Sequence, residues 1–297
     1  MNVKSFFDHD SHTASYVVYD KEGGTSAVID SVMDWNNKNY TTDTQSAEEV
    51  IAFIKEHNLT NEWILETHMH ADHLSASQHI KKAVGGKIAI GNKISVVQTT
   101  LKGLFNLNDS FITDGSNFDH TFADGDEFTI GDLKAKAVHV PGHTPADMMY
   151  VIEGSIFSGD TIFMPDVGTA RCDFPGGDAE ALWDSIQKIL AYPDETKIYL
   201  CHDYPEGKGR DVAFMTTVAE EKRENIHVKT GTKREEFLKF RAERDATLDL
   251  PTYIFPSMHI NARAGELPGI EDNNATYLKI PINWWKKSNA KYGNRLG

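Results

Sequence analysis

The 297-residue sequence predicts an α/β protein of two sheets packed face to face, with helices on the outer faces. Three observations carry this. A run of strand pair, helix and strand occurs twice along the chain. The strand segments are short and β-branched and are bounded by Gly, Asn and Asp turns. No repeat, low-complexity tract or linker separates the two runs, so a single domain with a C-terminal helical extension is the economical organisation.

The elements justify themselves in order. Ser15–Tyr19 and Ser26–Asp30 are strand segments joined by the turn Lys21-Glu22-Gly23-Gly24. Ala47, Val50, Ile51, Phe53 and Ile54 recur at helical spacing and predict a helix over 46–58. Trp63–Thr67 is a short strand running into a histidine cluster. Ser75–Val84 reads as a helix closed by Gly85-Gly86, followed by a strand over Lys87–Ile90. Residues 92–118 lack a clear period and read as an insertion. Strands are expected at Glu127–Ile130, Leu133–Val140, Met148–Ile152 and Ser155–Ser158, then a helix at Glu180–Leu190 and a buried strand at Lys197–Cys201. From 211 the balance turns charged and helical, as in Lys233–Arg244, and Ala275–Pro281 is a late strand. The resulting division is 1–210 for the main domain and 211–297 for the extension packed on it.

Composition excludes several classes. A formal charge of −14 argues against nucleic acid, which needs a basic face. For an anionic substrate, local arginines or a metal must overcome that field. No apolar run reaches the length of a membrane span, and the N-terminus lacks the pattern of a signal peptide, so a cytoplasmic location is the expectation. Two cysteines, Cys172 and Cys201, make no disulfide framework. Reduced thiols are the simple reading, and a redox-sensitive Cys172 in a polar neighbourhood the sharper one.

Chemistry concentrates in His68-Met69-His70-Ala71-Asp72-His73. Four candidate ligands in six residues are hard to explain as core packing, because each buried histidine or aspartate would need its own partner. Imidazole and carboxylate suit first-row divalent metals. In an extended segment His68 and His70 share one side. Three further segments end strands with matching groups: His143 in Val140–Pro145, Asp160 in Phe157–Thr161, and His202 in Leu200–Asp203. His139, His227 and His259 carry no motif, Trp183 is read as packing in the core, and Trp284-Trp285 as core, capping or a subunit contact.

His-x-His-x-Asp-His, Gly-His-Thr, Ser-Gly-Asp-Thr and a final strand-end histidine, in this order over about residues 12–205, resemble the metallo-β-lactamase superfamily. The resemblance implies an αβ/βα sandwich, two mixed sheets with helices outside and the metal site at one edge. All seven superfamily positions are filled: His68, His70, Asp72, His73, His143, Asp160 and His202. Ligands alone therefore admit a binuclear hydrolase, such as a glyoxalase II-like enzyme acting on glutathione thioesters. The later segments Ala170-Arg171-Cys172-Asp173-Phe174, His202-Asp203-Tyr204, Asp272-Asn273-Asn274 and Tyr277–Pro281 resemble bacterial persulfide dioxygenases instead.

That resemblance implies one Fe(II) per chain, held by His68, His143 and Asp160, with an open face for O2 and sulfur. His70, Asp72, His73 and His202 would then hydrogen-bond the ligands or iron-bound water. The implied partners are glutathione persulfide and O2, with no nucleic acid or membrane, and a homodimer remains open. Glutathione needs cationic anchors. Arg171 is the foremost candidate, unless Asp173 claims it, with Tyr204, Lys208 and Arg210 closing over the tripeptide. Arg263 is a weaker candidate. A metal-bound sensor without turnover is the alternative outside enzymes.

Overall fold

The computed structural model describes residues 1–282. The first half contains β1 (Asn2–Asp8), β2 (Thr13–Tyr19), β3 (Thr25–Ile29), β4 (Val32–Asn36), β5 (Thr41–Asp43) and α1 (Gln45–Glu56). It continues with β6 (Thr60–Leu65), β7 (Leu74–Ser75), α2 (Ser77–Val84), β8 (Lys87–Gly91), α3 (Ile94–Leu104) and β9 (His120–Phe122). The second half contains β10 (Glu127–Ile130), β11 (Leu133–His139), β12 (Met148–Ile152), β13 (Ser155–Phe157), α4 (Ala179–Leu190) and β14 (Lys197–Tyr199). It closes with β15 (Met215–Thr217), α5 (Val218–Glu224), α6 (Arg234–Asp245) and α7 (Ile254–Asn261).

Two six-stranded mixed sheets result, ordered β1-β2-β3-β6-β8-β9 and β10-β11-β12-β13-β14-β15. The pattern of each strand explains its place. In β2 both faces are buried: Val17 packs outward with α1, while Tyr16 and Val18 pack inward on the second sheet. In β11 Leu133, Ala135 and Ala137 point inward and Lys134 and Lys136 face solvent, the alternation of a half-exposed strand. Tyr150, Phe157, Phe122 and Leu65 fill the space between the sheets. Helices α1, α2, α3 and α7 cover the first sheet, and α4, α5 and α6 the second. The expected αβ/βα sandwich is thus the observed one.

Three expectations need correcting. Residues 92–118 are not an irregular insertion, since α3 occupies 94–104 and buries Ile94, Val97 and Leu101 at helical spacing. Ala275–Pro281 forms no strand. It makes only an isolated bridge between Thr276 and Ile270, and Tyr277 and Ile280 stay about half exposed, because no sheet edge accepts it. The segment after 210 does not begin as a helix either, for β15 pairs with β14 as the edge of the second sheet. The remainder packs closely: Trp183 of α4 meets Phe237 of α6 at 5.3 Å. Trp284-Trp285 lies outside the described residues. Among those described, no helix is long and apolar enough to cross a membrane.

Glu221 of α5 gives the fold a measurable pH dependence. Its side chain is fully buried, one carboxylate oxygen has no partner, and Asn225 holds the other. Burial pushes its pKa up to about 8. A carboxyl raised on folding favours the native state at low pH and loses that contribution as pH rises through the native value. Stability is therefore expected to fall between about pH 4.5 and 8, by on the order of a few kcal/mol. Glu221→Gln should flatten that slope, as urea midpoints at pH 5, 7 and 9 would show. An unchanged slope would discount the role of Glu221.

Candidate metal centre

Several strand ends build the centre. Asp30 follows β3 directly and caps the neighbouring parallel strand β6: its Oδ1 accepts from the Thr67 backbone N–H at 2.7 Å and its Oδ2 from the Thr67 hydroxyl at 2.9 Å. The chain then leaves the sheet, so His68 and His70 lie in irregular backbone rather than an extended strand, while Asp72 and His73 fall in the bend ahead of β7 and α2. Asn261 of α7 holds that segment, donating to the carbonyls of His70 and His73 at 2.8 Å each and accepting from the Ser75 N–H. His143 follows β11, Asp160 follows β13 and His202 follows β14. Gly142 lets the His143 turn lie on α4: its φ is +147°, and a Cβ there would fall 2.3 Å from Leu182 Cα.

Hydrogen bonds fix which imidazole nitrogen faces inward. A carbonyl only accepts, so His143 Nδ1, 2.7 Å from the Arg171 carbonyl, must carry the proton. The same holds for His202 Nδ1, 3.0 Å from the His12 carbonyl. His70 Nε2 donates to Asp30 at 2.9 Å, with Glu66 Oε2 at 3.3 Å. The Thr67 hydroxyl, already donating to Asp30, accepts from His68 Nδ1 at 3.1 Å. The other nitrogen of each ring is then the one that could face a metal ion. His68 Nε2, His70 Nδ1, His73 Nε2, His202 Nε2 and Asp160 Oδ1 are all buried without a hydrogen-bond partner.

Among the described residues four candidate ligand groups emerge; two are built wholly from the expected ligands, His68 with His143 and Asp160, and His70 with Asp72, His73 and His202, while Asp160 and His202 also group with Cys201, and His70 with Asp30 and Glu66. Within each, the candidate ligand atoms lie within 4.8 Å of one another. In the first, His68 Nε2 and His143 Nε2 sit 3.8 and 3.6 Å from Asp160 Oδ2. An ion about 2.1 Å from each atom would produce separations of roughly that size. His202 Nε2 lies 2.9 Å from Asp72 Oδ2 and 3.3 Å from Asp160 Oδ1, an arrangement that calls for a cation, either a proton or a metal. Burial depresses His202, but Asp160 and Asp72 outweigh it and push its pKa up to about 9. Burial, with His70 and His143 beside it, holds His68 well below the usual histidine range. The donor set fits metal ions at both groups.

The first group opens into a cavity of about 480 Å³. Its walls include Arg171, Phe174 and Tyr204, as the sequence suggested, and also His227, Arg241 and Arg244, which it did not. Tyr204 lies near-parallel to His202 at 6.0 Å, is about a third exposed, and is held protonated well above the usual phenol range by desolvation and the nearby Asp72 and Asp160 charges. Arg171 is largely committed: its fork grips Asp173 at 2.6 and 2.8 Å and reaches the Asp249 carbonyl. Arg241 is paired with Asp245. Arg244 is the exception, exposed and, among the described residues, bonded only to the Thr247 hydroxyl of its own segment.

Lys208 and Arg210 do not line the cavity. Arg210 is saturated by Asp166 and Asp203, and Lys208 donates to the Asp166 carbonyl, so both brace a loop instead. Arg263 stacks on Phe111, away from the cavity. Cys172 is not a reactive thiol, for burial and Asp245 push it up to about 12 and its Sγ–H donates to that carboxylate. The sequence offered no signal for Asn261, Arg241 or Arg244, since none sits in a motif and all act across long sequence separations.

An αβ/βα sandwich with a histidine–aspartate centre at its edge defines a metal-dependent enzyme scaffold. Residues 10–202 match the metallo-beta-lactamase superfamily, and the chain belongs to it. It is 48% identical to glyoxylase B2 of Dictyostelium discoideum, over 96% of this chain and 98% of that protein. It is 28% identical to hydroxyacylglutathione hydrolase of Vibrio cholerae, over 69% of this chain and 70% of that protein. The crystal structure of ETHE1 from Myxococcus xanthus superposes with a TM-score of 0.71 at 27% identity, covering 90% of this chain and all of that one.

Proposed function

We infer that the chain is an iron-dependent persulfide dioxygenase. It would convert glutathione persulfide, O2 and water to glutathione and sulfite: the terminal sulfur gains three oxygens, its bond to the glutathione sulfur breaks, and a proton stays with the thiol. The observation that carries this is the joining of the two resemblances in space. The segment that resembles persulfide dioxygenases, 170–174, supplies the carbonyl that orients His143 and two walls of the cavity, Arg171 and Phe174. The likeness to the Myxococcus xanthus ETHE1 structure supports the same reading.

His68, His143 and Asp160 would hold the iron, two imidazoles and one carboxylate leaving coordination positions free. Fe(II) there would supply O2 activation next to a bound sulfur. The chain itself orients His68 and His143 through Thr67 and Arg171, shields the sulfur end with Phe174 and Phe163, and keeps Tyr204 protonated beside Asp72 and Asp160.

Arg244 answers the charge problem. Arg171 and Arg241 are each balanced by their own carboxylate, whereas Arg244 lines the cavity with no ion pair among the described residues. It is the fitting anchor for a glutathione carboxylate. Arg244→Ala should raise KM about tenfold with kcat nearly unchanged, the loss of one charge-assisted bond common to ground and transition states. A fall in kcat with KM unchanged would remove Arg244 from this role.

A binuclear hydrolase of glutathione thioesters is the second reading. It is favoured by the second ligand group and by the likeness to hydroxyacylglutathione hydrolase. Anaerobically purified, iron-loaded protein given glutathione persulfide in an oxygen electrode separates the two. Stoichiometric O2 uptake with sulfite supports the dioxygenase. Thioester hydrolysis without uptake, with two metals per chain, overturns it.

A further inference from the structure

His227 lines the substrate cavity, yet neither candidate metal group uses it. Its ring is fixed from several sides. Asn225 Oδ1 accepts from the His227 backbone N–H at 2.9 Å, and Asn225 Nδ2 donates to the Gly168 carbonyl at 3.1 Å, which ties the two stretches of chain together. The Thr169 N–H donates to His227 Nδ1 at 3.0 Å, and the Thr169 hydroxyl lies 3.1 Å from the same nitrogen. Phe240 of α6 packs against the ring with centroids 4.2 Å apart. Gly168 makes the approach possible: its φ is +99°, and a Cβ there would fall 2.1 Å from His227 Nδ1. The imidazole therefore meets residues 168–169 by its Nδ1 edge, and the edge carrying Nε2 turns away from them.

The contacts also fix the tautomer. A backbone N–H only donates, so Nδ1 is the acceptor and Nε2 carries the proton of the neutral ring. Among the described residues Nε2 has no hydrogen-bond partner, and it stays open to solvent. Burial, with Arg241 and Arg244 beside it, holds the ring down to about 4, so it is neutral near pH 7. The cavity thus presents an immobilised neutral donor beside Arg244. An ionised carboxylate offers about four lone-pair sites, more than one guanidinium uses.

We propose that His227 Nε2–H and Arg244 together form a carboxylate subsite, both donating to the same carboxylate of a glutathione-derived substrate. This rests on the glutathione reading of the cavity and not on the choice between oxygenation and hydrolysis. Pre-organisation is what gives the histidine its value, since a donor already held in place loses little freedom when the ligand arrives.

Calorimetric titration of the iron-loaded protein with S-methylglutathione, a thioether with neither a persulfide sulfur nor a thioester to react, tests this. His227→Asn keeps an amide oxygen for the Thr169 N–H but has no donor at the Nε2 position. It is expected to bind the probe about tenfold more weakly, the loss of one hydrogen bond to a charged group. His227→Gln, whose longer amide can place an N–H near the lost Nε2–H, should recover much of that affinity. Two probes locate the carboxylate: the glycine ethyl ester of S-methylglutathione, and S-methylcysteinylglycine, which lacks the γ-glutamyl carboxylate. The penalty of His227→Asn should vanish with one of them, and a penalty undiminished in both overturns the carboxylate assignment. Equal affinity of the parent and His227→Asn for S-methylglutathione overturns the proposal alone. A parent that does not bind S-methylglutathione overturns the glutathione reading, and the subsite with it. Unchanged iron content and circular dichroism in His227→Asn show that a weaker affinity is not a loss of fold.

Discussion

His143→Ala is expected to cost the protein its iron and at least about a hundredfold in turnover. Loss of a residue that merely supports a ligand costs 10–100-fold, and a ligand itself should cost more. His143 is also the ligand with the simplest support: one hydrogen bond, from Nδ1 to the Arg171 carbonyl, fixes the ring. The ring also meets His68 and Phe174 edge-on at 5.1 and 5.4 Å, so circular dichroism of the variant checks that the fold survives. Iron per chain after anaerobic reconstitution and O2 uptake are the two measurements. His202→Ala is the companion, because His202 belongs to the other ligand group. Under the dioxygenase reading it keeps its iron. Loss of metal from His202→Ala as complete as from His143→Ala would favour the binuclear hydrolase.

The second large effect belongs to Arg241, and it is one of stability. Arg241 and Asp245 are a buried ion pair one turn apart on α6, with 2% and 6% of their surfaces exposed. Arg241 also donates to the Thr169 carbonyl at 3.0 Å, and Asp245 accepts from the Cys172 N–H at 3.0 Å. Arg241→Ala strands a buried carboxylate, which costs about 3–5 kcal/mol. It also loosens residues 169–172, and with them the carbonyl that orients His143. Urea denaturation should show the loss. Arg241→Met with Asp245→Leu should recover much of it, since no lone charge remains. A change under about 1 kcal/mol for Arg241→Ala would mean that solvent reaches Asp245 easily.

These two residues mark different depths of legibility. His143 stands in a short motif after an apolar strand, and strand ends at the edge of a sandwich converge, so its role could be read from residues a few positions apart. Arg241 lies on a charged helix whose pattern says only that one face is solvated. Its partner Thr169, and Cys172 which binds its ion-pair partner Asp245, lie 72 and 73 residues before Arg241 and Asp245, and no local period reports such contacts. Lys208 and Arg210 failed as anchors for the same reason: their cationic identity was visible, but the carboxylates of Asp166 and Asp203 that claim Arg210 were not. The missed helix α3 is a case of weak periodicity resolved by packing, because α3 and the sheet beneath it bury Ile94, Val97 and Leu101 together.

By itself the sequence determined most of the central strands and helices and the sandwich class, because alternation and helical spacing are short-range properties of the chain, and its motif spacing carried the resemblance that singled out the seven candidate ligands. Only the tertiary structure decided which nitrogen of each imidazole faces inward, that the ligands fall into two groups, and that Arg244 rather than Arg210 faces the cavity. Those outcomes depend on hydrogen bonds and ion pairs between segments distant in sequence, and the energy of a proton or a charge is set by what surrounds it in space.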